Sequence, residues 1–156
     1  MWNFIQTILP PLISIFAAFM AAKLSISQFY SQRIWEKRVE AYSHILEHLS
    51  YLQYCFSRLI DDAVDINKLG GKDKGRLSGG YKKAMESLAK ATAIGAFIVS
   101  EDTAAALEKL SHELEEKDPE GDYAGDYERY HGSVKAYIRK IRGCGKEDLF
   151  KKRRWR

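Results

Sequence analysis

The sequence predicts an all-α protein: an N-terminal transmembrane helix continuing into an antiparallel bundle of about four helices. Three observations carry that expectation. No charged side chain occurs from Met1 to Ala22 of the 156-residue chain, while charge is dense from Lys23 onward. Apolar residues then recur at steps of three and four through four successive segments, which is the helical period. No segment alternates with period two for long enough to make a strand. The mean hydropathy of −0.38 is that of a water-soluble chain, so the apolar start stands apart from the rest. The spans expected are an anchor at 1–26, a helical bundle at 27–145 and a basic tail at 146–156.

The 21 residues from Trp2 to Ala22 would rise about 31 Å as a helix, close to the hydrocarbon thickness of a bilayer. Asn3, Gln6 and Thr7 are polar, and Pro10-Pro11 falls in the middle of the run. Proline lacks an N–H donor and restricts the residue before it, so two forms stay open. One is a span kinked at Pro10-Pro11; the other is a helix starting at Pro11, with Trp2 to Leu9 in the interface. A cleaved signal peptide fits less well, because no Lys or Arg precedes the run and Met20-Ala21-Ala22 is a poor cleavage site. The flanking cations are Lys23, Arg33, Lys37 and Arg38. Positive residues stay inside, which predicts a cytoplasmic bundle. Cys55 and Cys144 form no paired motif.

The first bundle helix is expected from Ser31 to about Ile66. Its stripe is Ile34, Trp35, Tyr42, Ile45, Leu46, Leu49, Leu52, Phe56, Leu59, Ile60 and Ala63. No Pro or Gly intervenes from Leu12 to Asn67, so the anchor is expected to run into this helix without a break. Asn67 to Gly80 holds five of the chain's eleven glycines and reads as a loop. A second helix is expected from about Tyr81 to Val99, burying Met85, Leu88, Ala89, Thr92, Ala96 and Phe97. Ser100, followed by Glu101 and Asp102, is an N-cap with acids in the first turn. The third helix starts there, with Ala104, Leu107, Leu110 and Leu114 inward, and Asp118-Pro119-Glu120-Gly121 ends it. The fourth runs from about Tyr123 to Arg142 on a seam of Tyr123, Tyr127, Tyr130, Val134, Tyr137 and Ile141. Gly143-Cys144-Gly145 is expected to break it.

Several patterns resemble chemistry, and each has a plainer reading. His44-Ile45-Leu46-Glu47-His48 is a literal H-x-x-E-H, in which two histidines bind zinc and the glutamate is a general base. The plainer reading is two exposed histidines flanking the core positions Ile45 and Leu46. Glu128 and His131 have the E-x-x-H spacing of di-iron bundles, but the second such pair is missing. No P-loop, dinucleotide fingerprint, G-x-S-x-G or cysteine zinc pattern occurs. Residues 68–83 set Lys68, Lys72, Lys74, Arg76, Lys82 and Lys83 against Asp73 alone, a weak polyanion or nucleotide contact at most. The tyrosine seam reads as core with hydroxyls at the rim. The sequence therefore assigns no catalytic, cofactor-binding or metal residue and no cofactor.

Charge is segregated. Residues 100–122 carry nine acids against Lys109 and Lys117, whereas the tail sets six cations against Glu147 and Asp148. An up-down bundle would return its C-terminus toward the membrane. Lys151, Lys152, Arg153, Arg154, Trp155 and Arg156 are thus the expected lipid contacts, each basic residue worth about 1 kcal/mol near an anionic surface. Nucleic acid is the weaker use of the same tail.

Four segments together resemble small uncharacterised membrane-anchored helical-bundle proteins of bacteria. They are the uncharged run with Leu-Pro-Pro-Leu, Trp35-Glu-Lys-Arg-Val-Glu-Ala-Tyr42, Ala96-Phe-Ile-Val-Ser-Glu101 and Lys146-Glu-Asp-Leu149. The resemblance implies a bacterial inner membrane and transfers no site residue. The expected function is a non-enzymatic single-pass protein whose bundle binds protein partners or itself, with membrane lipid as the other partner. The alternative is a membrane-perturbing sensor or effector of a stress or phage-defence system, with Asn3, Gln6 and Thr7 favouring helix association.

Overall fold

The computed structural model describes residues 2–64, 66, 68–95, 98–116 and 123–150, without the side chains of residues 2–12 and 94–95. It is all-α, with α1 Trp2–Ala63, α2 Gly71–Gly95, α3 Glu101–Glu115 and α4 Tyr123–Phe150. No strand occurs among the described residues. The chain divides into two compact units, residues 1–37 and residues 38–156.

The first unit is one helix. It is helical through Pro10 and Pro11, so the alternative of a helix starting only at Pro11 does not hold. From Ile13 to Lys37 every side chain is exposed, including Phe16, Phe19, Leu24, Ile26, Phe29 and Trp35. Ile34 and Trp35 were expected in the bundle stripe, yet both are close to half exposed. α1 is the one helix among the described residues that is long and apolar enough to cross a membrane.

In the second unit, α1 buries Tyr42, Ile45, Leu49, Leu52 and Phe56. The steps of three and four between them keep one stripe facing inward. Thr103, Ala106, Leu107, Leu110 and Leu114 of α3 meet it, with Tyr130, Val134, Tyr137, Ile138 and Ile141 of α4. Leu49, Leu52, Val134 and Ile141 are fully enclosed. Each such side chain contributes about 1.5–3 kcal/mol over exposure.

Two boundaries differ from expectation. α2 begins at Gly71, inside the segment read as a loop. Asp62, near the end of α1, organises that start. Its Oδ1 accepts the Leu69 N–H at 2.8 Å, and its Oδ2 pairs with Lys74 Nζ at 2.8 Å. The Lys74 ammonium and the Leu69 amide hold the Asp62 carboxyl below its usual range. Leu77 then supplies a buried anchor one turn on. The buried face of α2 is consequently Leu77, Ala84 and Leu88, with Met85 only partly covered and Ala89 exposed. Ala96 and Phe97 lie outside the described residues.

α4 likewise passes through Gly143-Cys144-Gly145 to Phe150. Packing overrides local propensity here. Gly145 is buried against Tyr42, and Leu149 packs on the core beyond it. An alanine methyl at Gly145 would lie 3.1 Å from Tyr42 Cδ1, whereas at Gly143 it would meet nothing within 4 Å. The two glycines therefore respond oppositely. Gly143→Ala is expected to stabilise by about 0.5–1 kcal/mol through helix propensity. Gly145→Ala is expected to destabilise by about 1–3 kcal/mol through overpacking. Denaturant unfolding of the two variants beside the parent measures both.

Candidate functional site

Two places in the second unit bring polar groups of different helices together beside its core. The first is a buried hub on Tyr42, which is 3 % exposed. Its hydroxyl donates to Asp148 Oδ2 at 2.8 Å and accepts the Ser100 N–H at 3.3 Å. Thr103 Oγ1 lies 3.2 Å away and Ser100 Oγ 3.3 Å away, with 3.0 Å between those two. Ser100 is the N-cap of α3 with extended backbone, but its side chain makes no capping bond. It serves the hub instead. Burial is the main cause of the raised phenol pKa, and the hydrogen bond to Asp148 adds to it. The hydroxyl thus stays a neutral donor. Sequence reasoning missed this hub, although its members end or lie in segments already singled out: Tyr42 in Trp35–Tyr42, Ser100 in Ala96–Glu101, Asp148 in Lys146–Leu149.

The second place is the seam between α1 and α2. Tyr51 and Tyr54 stand one turn apart on α1, ring centroids 6.1 Å apart. Gly80 of α2 lies against Tyr51; a Cβ there would fall 1.9 Å from the Tyr51 hydroxyl oxygen. Only glycine admits the ring at its present place. On one side of Tyr51 a cleft of about 390 Å³ is lined by Tyr54, Arg58, Leu69, Asp73, Arg76 and Leu77. On the other an opening of about 590 Å³ is lined by Glu47, His48, Ser50, Tyr54, Lys83 and Ala84. Arg58 pairs with Asp61 at 3.6 Å. A third cleft, about 300 Å³ and mainly apolar, lies between α2 and α3 around Met85, Leu88, Thr92, Leu107 and Ser111.

The residues of H-x-x-E-H separate. His44 is exposed between Glu40 and Glu47, at 3.9 Å and 3.7 Å. His48 is half-buried at the α1–α2 opening. No group of three or more His, Cys, Asp or Glu able to hold a metal occurs among the described residues. His131 approaches Gln53 at 3.4 Å, not a second carboxylate pair. Lys151, Lys152, Arg153, Arg154, Trp155 and Arg156 lie outside the described residues.

The tyrosine seam divides by depth. Tyr123 is exposed, while Tyr130 and Tyr137 are each 8 % exposed. The Tyr130 hydroxyl donates to the Glu116 carbonyl, and the Tyr137 hydroxyl donates to Glu113 Oε1 at 2.8 Å. These bonds tie α4 to α3 and its end. Burial, then the Glu113 carboxylate, pushes the Tyr137 phenol up to about 12.

Removing the hub hydroxyl by Tyr42→Phe leaves the Asp148 carboxylate without its donor. About 1–3 kcal/mol of stability should be lost, read by denaturant unfolding with far-ultraviolet circular dichroism. Tyr137 gives a pH signature of definite sign. Its folded pKa is raised, so its contribution is whole below pH ~10 and is lost as pH climbs through the folded value of about 12. The unfolding midpoint should therefore fall above pH ~10, and fall less in Tyr137→Phe.

No family model matches this chain, and neither a curated protein nor a solved structure shows significant similarity to it.

Proposed function

We propose that this is a single-pass inner-membrane protein of bacteria whose cytoplasmic helical unit associates with protein partners or with a second copy of itself, without enzymatic chemistry. The observation that carries the reading is the first unit's apolar exposure. Eleven large hydrophobic side chains between Ile13 and Trp35 are at least 41 % exposed. Water disfavours such a surface by about 25 cal/mol per Å², and a bilayer removes the cost. Lys23, Arg33, Lys37 and Arg38 follow the run, which supports a cytoplasmic second unit by the positive-inside rule. Phe29, Tyr30 and Trp35 lie among these cations, and Arg33 sits over the Phe29 ring at 5.1 Å. Aromatic and basic residues together suit the headgroup region.

The second unit supports association more than catalysis. Its buried polar groups bind one another, as in the Tyr42 hub, and the Cys55 thiol is buried with its pKa raised by that burial. The cleft between α2 and α3 offers apolar surface for a helix.

The test is expression of the full chain with a C-terminal fluorescent or phosphatase reporter. The expected result is a carbonate-resistant membrane protein with a fluorescent reporter and an inactive phosphatase. In detergent, mass measurement and crosslinking should show a stable complex. Recovery in the soluble fraction, or an active phosphatase, would sink the anchor or its orientation. A monomer that captures nothing from membranes would sink the association.

A further inference from the structure

We propose that the α1–α2 cleft beside Tyr51 binds a nucleoside phosphate, its phosphate on Arg58 and Arg76 and its base against Tyr54. The inference stands on the second unit alone and is independent of membrane anchoring.

The chemistry begins with charge. Arg58 of α1 and Arg76 of α2 line the same cleft from opposite walls. Guanidinium groups present paired donors that match phosphate oxygens, and two facing ones clamp an anion that either alone would hold weakly. Arg58 has only a loose partner, Asp61 at 3.6 Å. Arg76 has no ion-pair partner among the described residues. Lys83 lines the adjoining opening, so a chain of phosphates passing Tyr51 meets a third cation.

Asp73 also lines the cleft and is its one acid among the described residues. Arg58 and Arg76 line the cleft with it, Arg58 shared with Asp61 at 3.6 Å, and Lys83 lines the adjoining opening together with Glu47. A carboxylate in the cleft suits the hydroxyls of a ribose or an exocyclic amine of a base.

The aromatic wall supplies the second half of the match. Tyr54 is 54 % exposed and lines the cleft, so its ring is open to a stacking partner. Base stacking on such a ring is tolerant of base identity. The cleft volume of about 390 Å³ falls in the range of small-molecule sites. Gly80 sets the place of Tyr51, which lines both openings: a Cβ there would fall 1.9 Å from the Tyr51 hydroxyl oxygen. A glycine kept inside a helix, at a cost to that helix, is accounted for by this close approach.

Calorimetric titration of the full chain in non-ionic detergent tests the proposal, using ATP, GTP, inorganic phosphate and a single-stranded oligonucleotide as probes. Saturable one-to-one binding of a nucleotide is expected, weakened at least tenfold by Arg76→Ala and by Tyr54→Ala. Lys135→Ala, exposed on α4, should leave it unchanged. Thermal unfolding of each variant separates lost binding from lost folding, and Lys83→Ala gives a second weakened variant should Arg76→Ala unfold. Phosphate alone should compete only weakly. Absence of saturable nucleotide binding overturns the proposal, as does equal weakening by Lys135→Ala. Binding of the oligonucleotide without the mononucleotides also overturns it and makes the groove a nucleic-acid surface.

Discussion

The hydroxyl of Tyr42 is where three helices of the second unit are fastened together. One phenolic oxygen contacts Asp148 near the end of α4, Thr103 in the first turn of α3 and Ser100 at its cap. Its ring at the same time covers Gly145. Apolar seams alone leave neighbouring helices free to slide by a turn, because one layer of Leu and Ile side chains resembles the next. A directional contact with one geometry does not. The hub therefore fixes the register in which the Leu and Ile layers meet, and the remaining core packs inside that choice. Tyr130 and Tyr137 repeat the device along α4, each passing its hydroxyl to Glu116 or Glu113.

This division explains which features were legible in the sequence. The inward stripes from Tyr42 to Phe56 of α1 and from Tyr130 to Ile141 of α4 follow from period, whereas Ile34, Trp35 and Tyr123 of the expected stripes are exposed. Ser100 with its acids marks the start of α3. What escaped was any residue whose role depends on a distant partner. Gly145 reads as a helix breaker because propensity is local, yet its conformation is set by a tyrosine about a hundred residues away. Asp148 reads as one of two acids in a basic tail, and Tyr42 as one more apolar stripe position. The glycines after Asn67 read as a loop for the same reason. Asp62, which lies outside that segment, ties Leu69 and Lys74 to α1 and allows the helix to begin. Of the candidate sites, H-x-x-E-H was visible as a pattern, while the α1–α2 cleft left only a faint trace as a run of cations.

The two units expose different surfaces. The described residues from 38 to 150 enclose a core of large hydrophobic side chains, although Tyr54, Val64, Ile66, Tyr123 and Phe150 stay exposed. Residues 13–37 bury none. A helix apolar around most of its girth is stable where its surroundings are apolar too, which is why the reading rests on exposure as well as length. Polar Ser25, Gln28, Ser31 and Gln32 appear in its second half, where Gln32 donates to Glu36 at 2.9 Å. The helix thus grades from lipid-compatible to water-compatible before the core begins at Tyr42.

α2 carries both a lightly held helical start and one wall of the proposed cleft. Gly71, Gly75 and Gly79 have open space around them, so they give the helix flexibility without a packing return, at roughly 1 kcal/mol each relative to alanine. Its first half is accordingly held by few contacts: the Asp62 junction, Leu77 and the face of Tyr51. Segments held this lightly open locally at less cost than the global unfolding energy. Arg76 sits in that half, and Arg58 sits on the firm wall of α1. A ligand bridging the two would add a tie exactly parallel to the one Asp62 makes with Lys74, between the same two helices. In the proposed complex a ligand there would add a second tie to that lightly held half, and the same helix borders the apolar α2–α3 cleft.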